Sequence, residues 1–126
     1  LRQAFCHSPF VFTATMAQTN ADKIFLEELN KIVYDNLQDP DFNLDSMAQL
    51  LNMSRSSLNR KIRGILDMTP NDYIRVERLK KAAVLLKDKS YKINEVCYAV
   101  GFSTPSYFAK CFQKQFGVLP KDFVEM

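Results

Sequence analysis

This chain is poor in the side chains that metal sites and nucleophilic catalysis use: one histidine, His7, and three cysteines, Cys6, Cys97 and Cys111, in 126 residues. Three cysteines without close pairing exclude the usual zinc frameworks. A lone histidine in an aperiodic segment leaves no base for a Cys/His or Ser/His arrangement. There is no phosphate loop and no pair of carboxylates in a cleft pattern. The expectation is a chain with no catalytic residue, no metal and no cofactor. No apolar run approaches the length of a membrane span, and residues 10–16 are too short and too hydroxylated for a secretory core. Free thiols without an export signal predict the cytoplasm, and the missing initiator Met predicts a fragment or excised domain. No stretch alternates with period two, which predicts essentially no sheet.

What is present is a core-forming composition with an uneven charge. At 47% hydrophobic residues the chain can bury a core, as one domain or as two very small units sharing a linker. Either half alone would be marginal. The net charge of +3 hides an asymmetry: residues 1–53 carry 3 Lys/Arg against 7 Asp/Glu, residues 54–126 carry 14 against 7. A basic half suits a polyanionic partner, although it also suits solvated helix faces.

The chain also repeats itself. Leu44-Asp-Ser-Met-Ala-Gln-Leu-Leu-Asn-Met-Ser54, Leu58-Asn-Arg-Lys-Ile62 and Met68-Thr-Pro70 return as Ile93-Asn-Glu-Val-Cys-Tyr-Ala-Val-Gly-Phe-Ser103, Phe108-Ala-Lys-Cys-Phe112 and Val118-Leu-Pro120. The offset is 49 up to Ser54/Ser103 and 50 from Leu58/Phe108, so one residue is inserted where the second helix of the later copy begins. Each copy has the grammar of a helix-turn-helix: a short apolar helix, a turn with a φ > 0 position, a hydroxyl cap and a second amphipathic helix. Ala48 and Cys97 supply the small residue at the helix crossing. Asn52 and Gly101 supply the left-handed position, and Ser54 and Ser103 the caps.

Around the repeat, residues 1–21 lack periodicity and are expected to be a linker or tail. A helix capped by Asp22 follows, with Ile24, Phe25, Leu29, Ile32, Val33 and Leu37 along one face, stopped by Asp39-Pro40-Asp41. Asn43 caps the first short helix, with Leu44, Met47, Ala48 and Leu51 inward. Thr69-Pro70-Asn71-Asp72 opens a helix to about Lys87, with Tyr73, Ile74, Leu79, Ala82, Ala83 and Leu86 as its buried stripe. Phe108, Phe112 and Phe116 point inward from the last long helix, which Gly117 ends. The fold class is all-α, with helix-turn-helix units at 43–66 and 93–116 and a long helix at 70–87 between them.

The second helix of the first copy presents Arg55, Ser56, Asn59, Arg60 and Arg63 outward. Arginine can bond guanine bidentately, asparagine can bond adenine, and serine adapts to either. The later copy presents Thr104, Ser106, Tyr107, Ala109, Lys110 and Lys114, with fewer donors. The first copy is therefore expected to discriminate sequence and the second to grip the backbone.

The strings Met53-Ser-Arg-Ser-Ser-Leu-Asn-Arg-Lys-Ile62, Glu95-Val-Cys-Tyr-Ala-Val-Gly-Phe-Ser103 and Tyr107-Phe-Ala-Lys-Cys-Phe-Gln-Lys-Gln-Phe-Gly117 with Pro120 closely resemble the AraC/XylS-type DNA-binding domain over about residues 22–126. The resemblance implies two helix-turn-helix subdomains, homeodomain-like three-helix units, joined by the linker helix at 70–87, with recognition helices at about 54–66 and 103–115 placed in successive major grooves of double-stranded DNA. By position it implies base-facing Ser56, Asn59 and Arg60, then Pro105, Ser106, Ala109 and Lys110, with Ser57 beside the first set. Pro105 and Ala109 donate no side-chain hydrogen bond, which reduces direct readout there. Asp67 stands where many members carry Gly, so that helix end is expected to be shaped differently.

The Asp39-Pro40-Asp41-Phe42 and Arg55-Ser-Ser-Leu-Asn-Arg stretches look most like the C-terminal output domain of hybrid two-component regulators. That likeness implies an activator and an upstream receiver, sensor and histidine kinase in a longer polypeptide, with anchoring in the inner membrane an option. It also implies dimerisation on DNA through absent segments, with RNA polymerase as a further partner. Two alternatives are a helical protein-interaction module with little DNA affinity and the DNA-binding half of a ligand-sensing regulator. A relative that repairs alkylated DNA uses a cysteine cluster, which Cys6 alone cannot reproduce.

Overall fold

The computed structural model describes residues 19–126, and within them it is all-helical with no strand. Seven helices follow in order: α1 (Asn20–Asp35), α2 (Leu44–Leu51), α3 (Arg55–Leu66), α4 (Pro70–Lys87), α5 (Ile93–Ala99), α6 (Pro105–Phe116) and the short α7 (Pro120–Phe123). The expected tail lies outside the described residues except for its last three positions, as do Cys6, His7 and residues 10–16.

Helix α1 begins three residues earlier than expected. Thr19 is the cap, its hydroxyl accepting from the Asp22 N–H at 3.0 Å. Asp22 instead sits in the first turn, where a negative charge favours the positive end of the helix dipole. The buried face is Phe25, Leu26, Leu29 and Val33, continued by Leu37, whereas Ile24 is 56% exposed and Ile32 only partly buried. Starting the helix at Asn20 does not change its phase. Leu26 completes a face with Leu29 and Val33 that excludes Ile24. The helix also stops at Asp35, with Asn36 as C-cap, before the Asp39-Pro40-Asp41 break.

Helix α4 belongs to two cores. Its first turns contribute Tyr73 and Ile74 to a largely aliphatic cluster with α1, α2 and α3, including Leu29, Met47, Leu58 and Ile62. From Leu79 onward it contributes Ala82, Ala83 and Leu86 to a second, aromatic cluster with α5 and α6. Here Phe108, Phe112 and Phe116 stand where the first core has Leu58, Ile62 and Leu66. Successive rings are 5.8 and 4.7 Å apart at their centroids and meet edge to face, a favoured arrangement. Phe123 of α7 closes over Phe112 at 5.3 Å.

Being buried on two sides, α4 lacks a single amphipathic stripe: Val76 and Glu77 are also inside. Glu77 is 5% exposed and pairs with Lys80 at 3.1 Å. Its carboxyl is pushed up by burial, an effect that Lys80 opposes. Tyr73 ties α4 to α1, its hydroxyl donating to Asn30 Oδ1 at 3.3 Å.

The two copies superimpose in logic as well as in sequence. From Leu58 to Pro70 and again from Phe108 to Pro120, buried, half-buried and exposed positions follow one another in an identical order. The expected difference at Asp67 does not arise. Asp67 (φ 55°) adopts the same left-handed cap conformation as Gly117 (φ 83°), a region that Asp tolerates better than most residues.

Candidate nucleic-acid interface

The surface of interest is built by the two turns that aim α3 and α6. In the first, Asn52 takes φ 56° and the Met53 N–H closes back on the Ala48 carbonyl at 2.9 Å. In the second, Gly101 takes φ 95° and the Phe102 N–H closes on the Cys97 carbonyl at 3.0 Å. Ala48 and Cys97 are both buried, and a larger side chain at either would push the paired helices apart. Burial raises the Cys97 thiol above its ordinary range, so it packs as a small apolar group.

Ser54 caps α3 as expected, accepting from the Ser57 N–H at 3.1 Å. The cap of α6, however, is Thr104 and not Ser103: its hydroxyl accepts from the Tyr107 N–H at 3.3 Å. The inserted residue of the second copy is thus Ser103 itself, an extra exposed position between the turn and the helix. Pro105 then occupies the first helical position, where its missing N–H costs nothing.

On α3, Arg55, Ser56, Ser57, Arg60 and Arg63 are exposed and Asn59 is half-buried. Two of the cations are already oriented. Arg55 Nε lies 2.7 Å from Asp45 Oδ1 of α2, and Arg63 Nε donates to Asn59 Oδ1 at 3.1 Å. Among the described residues Arg60 has no such partner and stands exposed in the middle of the helix. On α6, Thr104, Ser106, Tyr107, Lys110 and Lys114 are exposed, and Pro105 and Ala109 are half-buried. Tyr107 is 51% exposed, with its ring 6.0 Å from buried Phe102, so it is anchored by a ring contact while half of it stays open to solvent.

Two surface depressions locate these faces relative to one another. One is bordered by Arg55, Asn59 and Arg63 of α3. The other, about 760 Å³, lies between the subdomains and is bordered by Arg75 and Arg78 of α4 and by Ser103, Thr104 and Tyr107. Asn43 and Asn71 border both. The edge of α3 that carries Arg55, Asn59 and Arg63 and the start of α6 therefore border neighbouring depressions that meet at Asn43 and Asn71. Sequence reasoning missed Asn43, Asn71, Arg75 and Arg78, since their position depends on how the two subdomains meet. Among the described residues there is no group of three or more metal-ligating side chains, and no helix is long and apolar enough to cross a membrane.

Comparison with known proteins agrees with this architecture. The family described as a helix-turn-helix domain matches residues 47–126. Histidine kinase P4 of Formosa agariphila is 35% identical over 123 residues, 98% of this chain but 9% of that protein. The transcriptional regulator GbdR of Pseudomonas aeruginosa is 36% identical over 107 residues, 85% of this chain and 28% of the regulator. The chain thus spans less than a third of either relative. Among solved structures, the C-terminal domain of AraT, a response regulator from Geobacillus stearothermophilus, has a TM-score of 0.73 at 29% identity, covering 79% of this chain and 82% of that domain. The tandem units, the shared α4 and the match over α2 to α7 have one reading: the chain belongs to the family of AraC-type helix-turn-helix DNA-binding domains.

Proposed function

We propose that this domain recognises a specific bipartite DNA sequence by inserting α3 and α6 into successive major grooves, and that it serves as the activating output of a hybrid two-component regulator. The observation that carries the first part is the pair of adjoining depressions that share Asn43 and Asn71 and set one edge of α3 beside the start of α6, an arrangement suited to both helices approaching one duplex. Arg60, Ser56 and Asn59 are assigned to base edges in the first half-site, with Arg55, Ser57 and Arg63 at its border. Ser106, Lys110 and the apolar Pro105 and Ala109 face the second, where Thr104, Tyr107 and Lys114 hold phosphate and sugar. Half-motifs about one helical turn apart imply a site of roughly 15–20 base pairs per protomer. The hybrid context rests on the match to a histidine kinase across nearly the whole chain and on the response-regulator domain of like fold. An upstream receiver, dimerisation through it, and a contact with RNA polymerase belong to the same reading.

Selection of bound duplexes from a random pool, followed by a salt series, tests it. A bipartite consensus whose affinity falls about 10³–10⁵-fold between 50 and 200 mM salt fits the six to ten phosphate contacts of such an interface. Absent or salt-insensitive binding would assign the domain to protein interaction instead.

A further inference from the structure

The rod α4 alone would leave the two reading units free to bend about its midpoint, but a second connection exists there. Between the N-terminal core, which ends at Ile74, and the C-terminal core, which starts at Leu79, lies Arg78. Its Nε donates to the Leu37 carbonyl at 3.3 Å and its Nη2 to the Asp39 carbonyl at 2.7 Å. Both acceptors belong to the loop that follows α1. The turn of the second helix-turn-helix closes on this same Nε–Leu37 contact, where a Cβ on Gly101 would stand 2.8 Å from Nε and 2.0 Å from the Leu37 oxygen. Three segments distant in sequence thus close on one planar group: the loop of the first unit, the middle of the rod and the turn of the second unit.

We infer that Arg78 is a positioning residue that fixes the spacing and rotational register of the two half-sites the domain accepts. The inference rests on the bipartite reading proposed above. Its physical basis is geometric. Guanidinium presents donors in a rigid plane, so two carbonyls and a close backbone approach define one orientation of the units. Lengthening a site by one base pair rotates one half by about 34–36° and moves it about 3.4 Å along the axis. A locked pair of units cannot follow that displacement without breaking the contacts at Arg78.

The experiment uses the 126-residue chain, its Arg78→Ala and Arg78→Lys variants, and duplexes selected by the parent, with zero, one or two base pairs inserted between the half-motifs. The parent is expected to lose about tenfold or more in affinity for one insertion, a change of about 1.4 kcal/mol. Arg78→Ala should lose less than about threefold relative to its own best site, and Arg78→Lys, which keeps a donor but not the plane, should fall between. Residual dipolar couplings supply a readout without DNA. Both units should share one alignment tensor in the parent and take different ones in Arg78→Ala, with each unit's own couplings still fitting its fold. An Arg78→Ala spacing profile equal to the parent's, or a retained common tensor, overturns the inference while leaving the bipartite reading intact. If selection by the parent returns no two-part site, the bipartite reading fails first and takes the assigned role of Arg78 with it.

Discussion

Gly101 faces the carbonyl oxygen of Leu37 so closely that a Cβ at position 101 would sit 2.0 Å from it. The equivalent turn position of the first copy, Asn52, is exposed and holds its left-handed conformation with a side chain in place. Equivalent positions of the repeat therefore carry unequal demands. Gly101→Ala should destabilise by about 3 kcal/mol or more, combining backbone strain with a clash against backbone. Asn52→Gly and Asp67→Gly should instead change stability by no more than about 1 kcal/mol, in the stabilising direction, because each relieves a left-handed residue. Urea denaturation of the three variants checks both statements.

The hydroxyl that starts α6 should be identifiable by substitution. Thr104→Ala removes the acceptor for the Tyr107 N–H and should cost about 1 kcal/mol. Ser103→Ala, at the exposed residue before it, should stay within about 0.5 kcal/mol of the parent. Equal costs would mean that the two hydroxyls share the cap.

Glu77 sets a pH dependence whose sign follows from burial. Its carboxyl holds its proton to higher pH in the folded chain than in the unfolded one. Between the ordinary carboxylate value and the raised folded one, the unfolded state binds fewer protons, so stability falls as pH rises. Above that window the loss is complete and constant. Glu77→Gln cannot ionise, so its thermal midpoint should compare more favourably with the parent at pH 7 than at pH 4. A difference between the two proteins that is the same at both pH values would contradict this.

The reading helices should fail in different ways. Arg60→Ala should cost about 1–3 kcal/mol on the selected site and flatten preference at one base pair. Lys114→Ala, at the phosphate backbone, should weaken binding to all duplexes alike and reduce the salt slope by about one. Affinities across a panel of single-base variants separate the two patterns, and equal loss of discrimination would remove the assigned division of labour.

Most of the architecture is legible from residue type and spacing, because the elements are punctuated locally. Asn43, Ser54 and Thr69 cap helices by bonds to residues three positions on, and Pro70 and Pro120 start helices where proline is at ease. The errors fall where local rules leave a tie or where distant segments decide. Ser103 and Thr104 are adjacent hydroxyls, and only the backbone path selects one. Ile24 and Leu26 are equally apolar, and the position of the first core selects Leu26. Val76 and Glu77 are buried because α4 is covered from two sides, which a search for one stripe cannot register. Arg78 resembles any surface cation in sequence, and its partners lie 39 and 41 residues away. The outer faces of α3 and α6 are legible as exposed polar surfaces, but their placement relative to one another is not, since it depends on how α4 joins the units.

Because one helix completes both cores, the repeat is not a pair of interchangeable cassettes. Cutting the chain on either side of α4 would strip one half of its lid, and grafting a foreign half onto this one would leave α4 mismatched to a stranger's interior. Chimeras between relatives should succeed only when the crossover carries α4 along with the Leu37–Gly101 seam. Diversification of this lineage is therefore expected to proceed by exchanging outward-facing side chains rather than by shuffling whole modules.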